Sequence, residues 1–228
     1  MNKQVNTIKE KQNVFAKGLS FYKITWCFII ASIFGTYYEE ILTYFKHGVL
    51  ENRSAVIIGP FNPLYGTAYI IAIFLFVRFK NPFKVIFLGA IFGGSFEYLS
   101  SIAQEYFTGS VSWNYENLLL DINGRTTIPL SLLWGSLVYI FVTLLYPHFS
   151  KAIEKIPYRF GIIFTNIFIV FITLNMFVTY SMLIRQGLRV KGVEPYTFLG
   201  EIYDEVFTDE YIQELFPNMV LKESDEDD

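Results

Sequence analysis

Charged residues are scarce in this sequence. They make up 17% of its 228 residues, whereas a soluble domain carries about 25%. Cysteine occurs once, at Cys27, so an intrachain disulfide and a zinc site made of cysteines are both excluded. Histidine occurs only at His47 and His148, which disfavours a histidine-based metal centre. We therefore expect neither a metal nor another cofactor.

Known nucleotide-binding and catalytic motifs are also missing. No Walker-type glycine loop, dinucleotide fingerprint or Gly-x-Ser-x-Gly elbow occurs. The chain has no basic stripe and an isoelectric point of about 5.5, which disfavours nucleic acid as a partner. Apolar side chains are abundant instead: 53% of residues are hydrophobic and 19% are aromatic. This composition is typical of a membrane protein, whose partner is the lipid bilayer.

Long apolar stretches predict an all-α fold, a polytopic membrane helix bundle with about five transmembrane helices. A bilayer core of about 30 Å requires about 20 mostly apolar residues in a helix. We place the spans at about residues 24–45, 63–77, 85–107, 128–146 and 160–184. The second stretch is short for a full span. No cleavable signal peptide is evident, so the first span is expected to be retained as an anchor.

The distribution of lysine and arginine predicts the orientation in a cell membrane. These residues are concentrated in segment 1–23 and in the loops after spans two and four. The positive-inside rule therefore places the N-terminal segment in the cytoplasm. With five spans, the C-terminal tail then lies outside. Arg185, Arg189 and Lys191, which closely follow span five, oppose this orientation.

The tail, residues 185–228, is acidic at its end. It carries apolar residues at spacings of three and four, including Phe198, Ile202 and Val206. This pattern predicts a short amphipathic helix that lies on the membrane or on the protein. The alternative is a solvated helix followed by a disordered acidic end.

Polar residues inside two of the predicted spans mark a candidate site. Ionisable groups in a span are costly and by default indicate function. Span three places Glu97, Ser101, Gln104, Glu105 and Thr108 on one helical face, and span one does the same with Ser32, Thr36, Glu39 and Thr43. Gly89 and Gly93 form a Gly-x-x-x-Gly pair, which would let another helix approach span three closely.

Both outer loops are unusual and add polar residues at one membrane face. The first, residues 51–66, contains two prolines and two glycines but is largely apolar, which favours an irregular, re-entrant or interfacial loop. In the second, Asn123-Gly124 is a turn signal that would present Arg125. The candidate ligand-binding residues are Glu39, Asn52, Arg53, Tyr65, Glu97, Glu105, Trp113, Tyr115, Asn123 and Arg125. Alternatively, Arg53 and Arg125 only neutralise Glu39, Glu97 and Glu105 within the fold.

Two ordered motifs in residues 20–146 resemble a known family. The first follows a glutamate late in span one with Asn52-Arg53, Gly59-Pro60, Pro63 and Tyr65-Gly66. The second comprises Glu97, Glu105, Trp113, Tyr115, Asn123-Gly124-Arg125 and Trp134-Gly135. This series resembles the ABC-transporter type IV family of CmpB-like permeases, to which small vertebrate transmembrane proteins of the 229 family are also similar. The resemblance implies a permease-like membrane protein.

Three hypotheses for the function follow. In the first, the chain is a permease-like transport subunit with a separate cytoplasmic ATPase, and a homodimer would enclose the pore. In the second, an intramembrane enzyme or binding protein acts on a phosphate-bearing lipid or polyprenyl head group. Arg53 and Arg125 would then hold the phosphate, and Glu97 or Glu105 would be the catalytic general base. In the third, the chain is a non-catalytic accessory protein whose polar residues serve helix packing.

Overall fold

The structure, a computed structural model, describes residues 14–222 and is built almost entirely of helices. The helices are α1 (Phe21–His47), α2 (Pro63–Phe76), α3 (Pro82–Thr108), α4 (Ile128–Val138), α5 (Tyr146–Glu154), α6 (Tyr158–Val190), α7 (Phe198–Val206) and α8 (Asp209–Leu215). A π-helical segment, Tyr139–Leu145, joins α4 to α5. The short strands are β1 (Ser110–Val111), β2 (Asp121–Ile122), β3 (Thr126–Thr127) and β4 (Val220–Leu221). The prediction of an all-α membrane bundle is confirmed.

Three of the described helices are long and apolar enough to cross a bilayer. They are α3, the continuous helix Ile128–Glu154 and α6. Helix α2 is also apolar, but its 14 residues extend only about 21 Å at 1.5 Å per residue. Helix α1 contains the first predicted span, 24–45. Residues 1–13 of the basic N-terminal segment and the acidic end, 223–228, lie outside the described residues.

Asparagine and threonine residues fix where the membrane helices begin. The side chains of Asn62, Asn81 and Thr127 each accept a hydrogen bond from a backbone N–H in the first turn of α2, α3 and α4. A proline follows each cap within the first two helical positions, where its missing N–H has no cost. A further proline, Pro147, lies inside the continuous helix Ile128–Glu154, just after the π-helical segment. Because it has no N–H, it cannot donate to the carbonyl of Thr143 as an α-helix would require.

Glycines allow α3 and α4 to pack closely, as the Gly-x-x-x-Gly pair predicts. A Cβ added to Gly89 would lie 3.2 Å from the Cα of Gly135, and one added to Gly93 would overlap the side chain of Trp134. The neighbouring helix that the sequence could not identify is therefore α4. This contact fixes the distance between the polar face of α3 and the residues at the start of α4.

The first outer loop, residues 48–62, is irregular and is held by the last long helix, α6. Asn175 accepts a hydrogen bond from the backbone N–H of Ile58 (3.2 Å) and donates one to the carbonyl of the same residue (2.7 Å). Thr179 accepts from the N–H of Ile57 at 3.1 Å. Because protein groups satisfy this backbone, an irregular apolar segment is tolerated here.

The C-terminal tail folds back onto the same face as the two outer loops. Strand β4 pairs antiparallel with β1, with Ser110 opposite Leu221. Ile212 and Phe216 of the tail form a buried apolar cluster with Met182 and Leu183 of α6. The tail, which the sequence predicts to be either amphipathic or solvated, thus contains two short helices and a strand that contact the bundle.

The basic residues that follow span five pair with acids in the tail. Arg185 donates to both carboxylate oxygens of Asp204, at 2.9 and 2.6 Å. Arg189 donates to Asp204 and also to Asp209. These contacts neutralise two of the charges that oppose the predicted orientation. The Arg185 guanidinium, with that of Arg189, holds the pKa of the Asp204 carboxyl below its ordinary value.

Acidification is expected to release helix α7 from the end of α6. Because the pKa of Asp204 is lowered in the folded protein, its stabilisation is complete above the unfolded pKa of about 3.9. This stabilisation is lost as the pH falls through the lower folded pKa. The protection factors of the backbone amides in residues 198–206, which are corrected for the intrinsic slowing of exchange in acid, should therefore fall at low pH. Asp204→Asn should show the same low protection at neutral pH. Equal protection in both proteins at neutral pH would contradict the role of Asp204.

Candidate functional site

The polar face of α3 points into the protein. Glu97, Ser101 and Thr108 are buried, and Glu97 exposes only 7% of its surface. Gln104 donates to Ser112 at 2.8 Å and continues the same face toward the second outer loop. The polar face of α1 also points inward, since Ser32 and Thr36 are buried. Polar side chains from separate parts of the chain therefore meet inside the bundle.

Glu97 is the centre of one group of contacts, which we call the Glu97 cluster: Glu97, Tyr115, Thr126 and Trp134. The Glu97 carboxylate accepts hydrogen bonds from the Tyr115 hydroxyl (3.1 Å), the Thr126 hydroxyl (2.6 Å) and the Trp134 indole (3.1 Å). These donors come from the second outer loop, β3 and α4. No lysine or arginine of residues 14–222 pairs with Glu97. A buried carboxylate is thus held by neutral donors alone.

The second outer loop, residues 109–127, positions Tyr115 and Arg125. Asn123 and Gly124 both have positive φ, 53° and 67°, as expected for the turn of a tight hairpin between β2 and β3. The Tyr115 N–H donates to the Gly124 carbonyl at 2.7 Å, and the Trp113 indole donates to the Arg125 carbonyl at 3.0 Å. Burial, and then the nearby Glu97, raises the pKa of Tyr115. Its hydroxyl therefore stays protonated and can donate to Glu97.

Glu105 is the centre of a second group, the Glu105 cluster: Glu105, Ser101, Arg125 and Lys222. The Arg125 guanidinium forms an ion pair with Glu105 and donates to the Ser101 hydroxyl at 2.9 Å. Lys222 of the tail reaches the other Glu105 oxygen at 2.9 Å. Both cations are thus engaged by one carboxylate, and the tail covers this part of the site.

Glu39 and Tyr65 connect α1 to the Glu97 cluster. The Tyr65 hydroxyl donates to Glu39 at 2.7 Å. The Tyr65 ring packs on Gly35, where any Cβ would overlap it. On its other side, the ring lies edge-to-face with Trp134 at a centroid distance of 6.1 Å. The two carboxylates, Glu39 and Glu97, are therefore linked through a pair of aromatic side chains.

Other predicted site residues lie outside these clusters. Asn52 donates to the carbonyl of Leu215 in the tail at 2.9 Å, and Asn123 donates to the Tyr98 hydroxyl at 2.9 Å. Arg53 pairs with Glu51 at 2.9 Å, so its partner is none of Glu39, Glu97 and Glu105. The Nε of Arg53 is buried without a hydrogen-bond partner among the described residues.

Several contact residues were not predicted from the sequence. Thr126 belongs to no sequence motif that would mark it as a site residue, because threonines are common next to the start of a helix. Trp134 belongs to the second motif, but its role as a donor to Glu97 depends on the packing of α4. Lys222 follows a strand of two residues, and so short a strand has no recognisable pattern.

Comparison with protein families agrees with these motifs. The family model described as "Putative ABC-transporter type IV" matches residues 26–180. No curated protein and no solved structure matches the chain. The similarity to the transmembrane proteins of the 229 family stays a prediction. Because the match extends over most of the chain and includes the Glu97 and Glu39 contacts, this membrane protein belongs to the family "Putative ABC-transporter type IV".

Proposed function

We propose that the chain is a permease-like subunit of an ABC-type transporter, with a ligand-binding site on the outer side formed around Glu97. The main support is that Glu97 is buried and contacts only neutral donors. An uncompensated carboxylate in a membrane span is costly, so selection for packing alone would favour an apolar residue. Such a group can take up a proton or a cationic ligand during a transport cycle.

The ATPase of this transporter would be a separate cytoplasmic subunit. The sequence contains no nucleotide-binding glycine loop, so ATP hydrolysis requires another chain. We place the N-terminal segment in the cytoplasm and the tail outside, with the transmembrane bundle formed by residues 24–184. Pairing of Arg185 and Arg189 with tail carboxylates supports this orientation, because it neutralises the basic charge that opposes it. A homodimer would enclose the pore, since a chain of five spans offers few helices to surround one.

Replacing Glu97 with glutamine should impair transport without unfolding the protein. Glutamine keeps the shape and an acceptor oxygen but cannot exchange a proton or hold a cation. We expect ATP hydrolysis by the co-purified complex in nanodiscs to fall about tenfold or more, equivalent to about 1.4 kcal/mol. Glu116→Gln, which changes an exposed carboxylate of the second outer loop, should behave like the unmodified protein. Normal hydrolysis by Glu97→Gln, or purification without any ATPase subunit, would argue against the proposal.

A second candidate is an intramembrane enzyme or binding protein that acts on a phosphate-bearing lipid or polyprenyl head group. The observation that favours it is the buried Nε of Arg53, which has no hydrogen-bond partner within residues 14–222, since a guanidinium N–H suits a phosphate oxygen. Under this hypothesis Glu97 or Glu105 would serve as a general base. Mass spectrometry of the complex in mild detergent separates the candidates: an ATPase subunit supports the permease, and a retained phospholipid without an ATPase supports the alternative.

A further inference from the structure

A groove of about 520 Å³ lies between α3 and α4. Its walls include Phe87, Ile91 and Leu132, and its floor includes the small residues Ala90, Gly94 and Ser131. The small residues leave space where the helices approach each other closely. This volume falls within the range of about 300–1,000 Å³ that is usual for ligand sites.

The apolar, exposed lining of the groove predicts that it opens sideways toward the hydrocarbon of the bilayer. Phe87, Ile91, Leu99 and Leu132 all line it and are all exposed. Both helices that form it belong to segments long and apolar enough to span a membrane. A ligand could therefore enter from the lipid without passing through water.

One end of the groove is polar and adjoins the Glu97 cluster. Tyr98 lines the groove, and its hydroxyl accepts the hydrogen bond from Asn123. Thr126 also lines the groove, and its hydroxyl donates to Glu97 at 2.6 Å. A single side chain, that of Thr126, therefore connects the groove to the buried carboxylate.

A turn of three leucines lies next to this polar end. Leu118, Leu119 and Leu120 are exposed, and Leu119 exposes 76% of its surface. The carbonyl of Leu120 accepts a hydrogen bond from the N–H of Ile128, at the start of α4 (3.1 Å). Three exposed leucines in a loop on the face of a membrane protein are expected to insert into the lipid interface. We therefore expect the polar end of the groove to lie at the depth of lipid head groups.

We propose that the groove binds the hydrocarbon chain of a membrane lipid, with the lipid's polar end against Tyr98 and Asn123. The inference deepens the proposed function, because it makes the transported substrate an amphipathic lipid that enters from the bilayer. This transport role rests on the permease proposal, whereas lipid binding in the groove rests on the lining residues. The apolar walls suit the chain, and the tyrosine and asparagine side chains offer donors and acceptors to the head group.

Photo-crosslinking of the full chain in nanodiscs tests this site. The probe is phosphatidylethanolamine that carries a diazirine in one acyl chain, and adducts are mapped by mass spectrometry of peptides. We expect adducts on the groove residues of α3 and α4. Ser95→Trp, which fills the groove from an exposed lining position, should reduce them about tenfold. Ile167→Trp, on the exposed face of α6, is the matched control and should leave them unchanged.

Labelling spread evenly over the exposed helices, and insensitive to Ser95→Trp, would overturn the proposal. If Ser95→Trp does not fold, Ile91→Trp blocks the same groove and replaces it. The experiment needs no ATP and no partner subunit. A groove that labels although no ATPase is found would therefore refute the permease and retain the lipid site. Conversely, an ATPase complex that depends on Glu97 but shows no groove labelling would refute only the lipid site.

Discussion

Replacing Gly135 with alanine is expected to produce one of the largest losses of stability in this protein. A Cβ at this position would overlap the carbonyl oxygen of Ile86 and lie 2.7 Å from the backbone nitrogen of Ala90. Both atoms belong to the backbone of α3, so no side-chain rotation can relieve the overlap. Overpacking typically costs about 1–3 kcal/mol, and occasionally more. Thermal unfolding in detergent should show a clearly lower midpoint or no folded protein.

Ser136→Ala is the matched control for this glycine. Among the residues that the structure describes, it removes only a hydroxyl bond to the carbonyl of Leu132 in the same helix, and the side chain is partly buried. We expect its unfolding midpoint to stay close to that of the unmodified protein. If Gly135→Ala unfolded at the same temperature as Ser136→Ala, the close contact between α3 and α4 would not be essential.

Replacing Lys23 with methionine is the second change expected to have a large effect. Lys23 exposes 0% of its surface. Its ammonium group donates to the carbonyl and the hydroxyl of Ser150, at 2.7 and 2.6 Å, and to Glu154 at 2.8 Å. Removing one partner of a buried ion pair costs about 3–5 kcal/mol. Because the Glu154 side chain is 32% exposed and can regain water, we expect about 2–3 kcal/mol here.

Unfolding of the Lys23→Met protein by denaturant or heat measures this effect. Lys80→Met is the control, because Lys80 is exposed, and it should change the free energy of unfolding by less than about 0.5 kcal/mol. Similar stabilities for the two variants would show that the contacts of Lys23 with α5 contribute little.

The all-α fold and the inward-facing residues of the helices could be predicted from the sequence, because both follow from local periodicity. Glu97, Ser101 and Thr108 recur on one side of α3, and a polar stripe in a membrane helix must avoid lipid. The turn at Asn123-Gly124 was also predictable, since few residues adopt positive φ. These features depend only on neighbours within one or two helical turns.

The pairing of charges could not be predicted in the same way. Arg53 has Glu51 as its partner, and Glu105 has both Arg125 and Lys222. The choice depends on how distant segments fold together, and any acid on the same face was an equally good candidate. Lys23 illustrates most clearly why pairing could not be predicted. The lysine content of segment 1–23 suggests only a basic cytoplasmic segment, whereas Lys23 is buried and contacts Ser150 and Glu154.

The two-point contact of Asn175 with Ile58 has a mechanical consequence. An amide that both donates to and accepts from the same residue resists sliding as well as separation, so the first outer loop and α6 should shift as one unit. A conformational change that opens this face would then pivot within the second loop, where the glycines Gly109 and Gly124 have positive φ. Hinge motion there would move Tyr115 away from Glu97 and Arg125 away from Glu105. The two hydrogen bonds between Asn175 and Ile58 would remain formed.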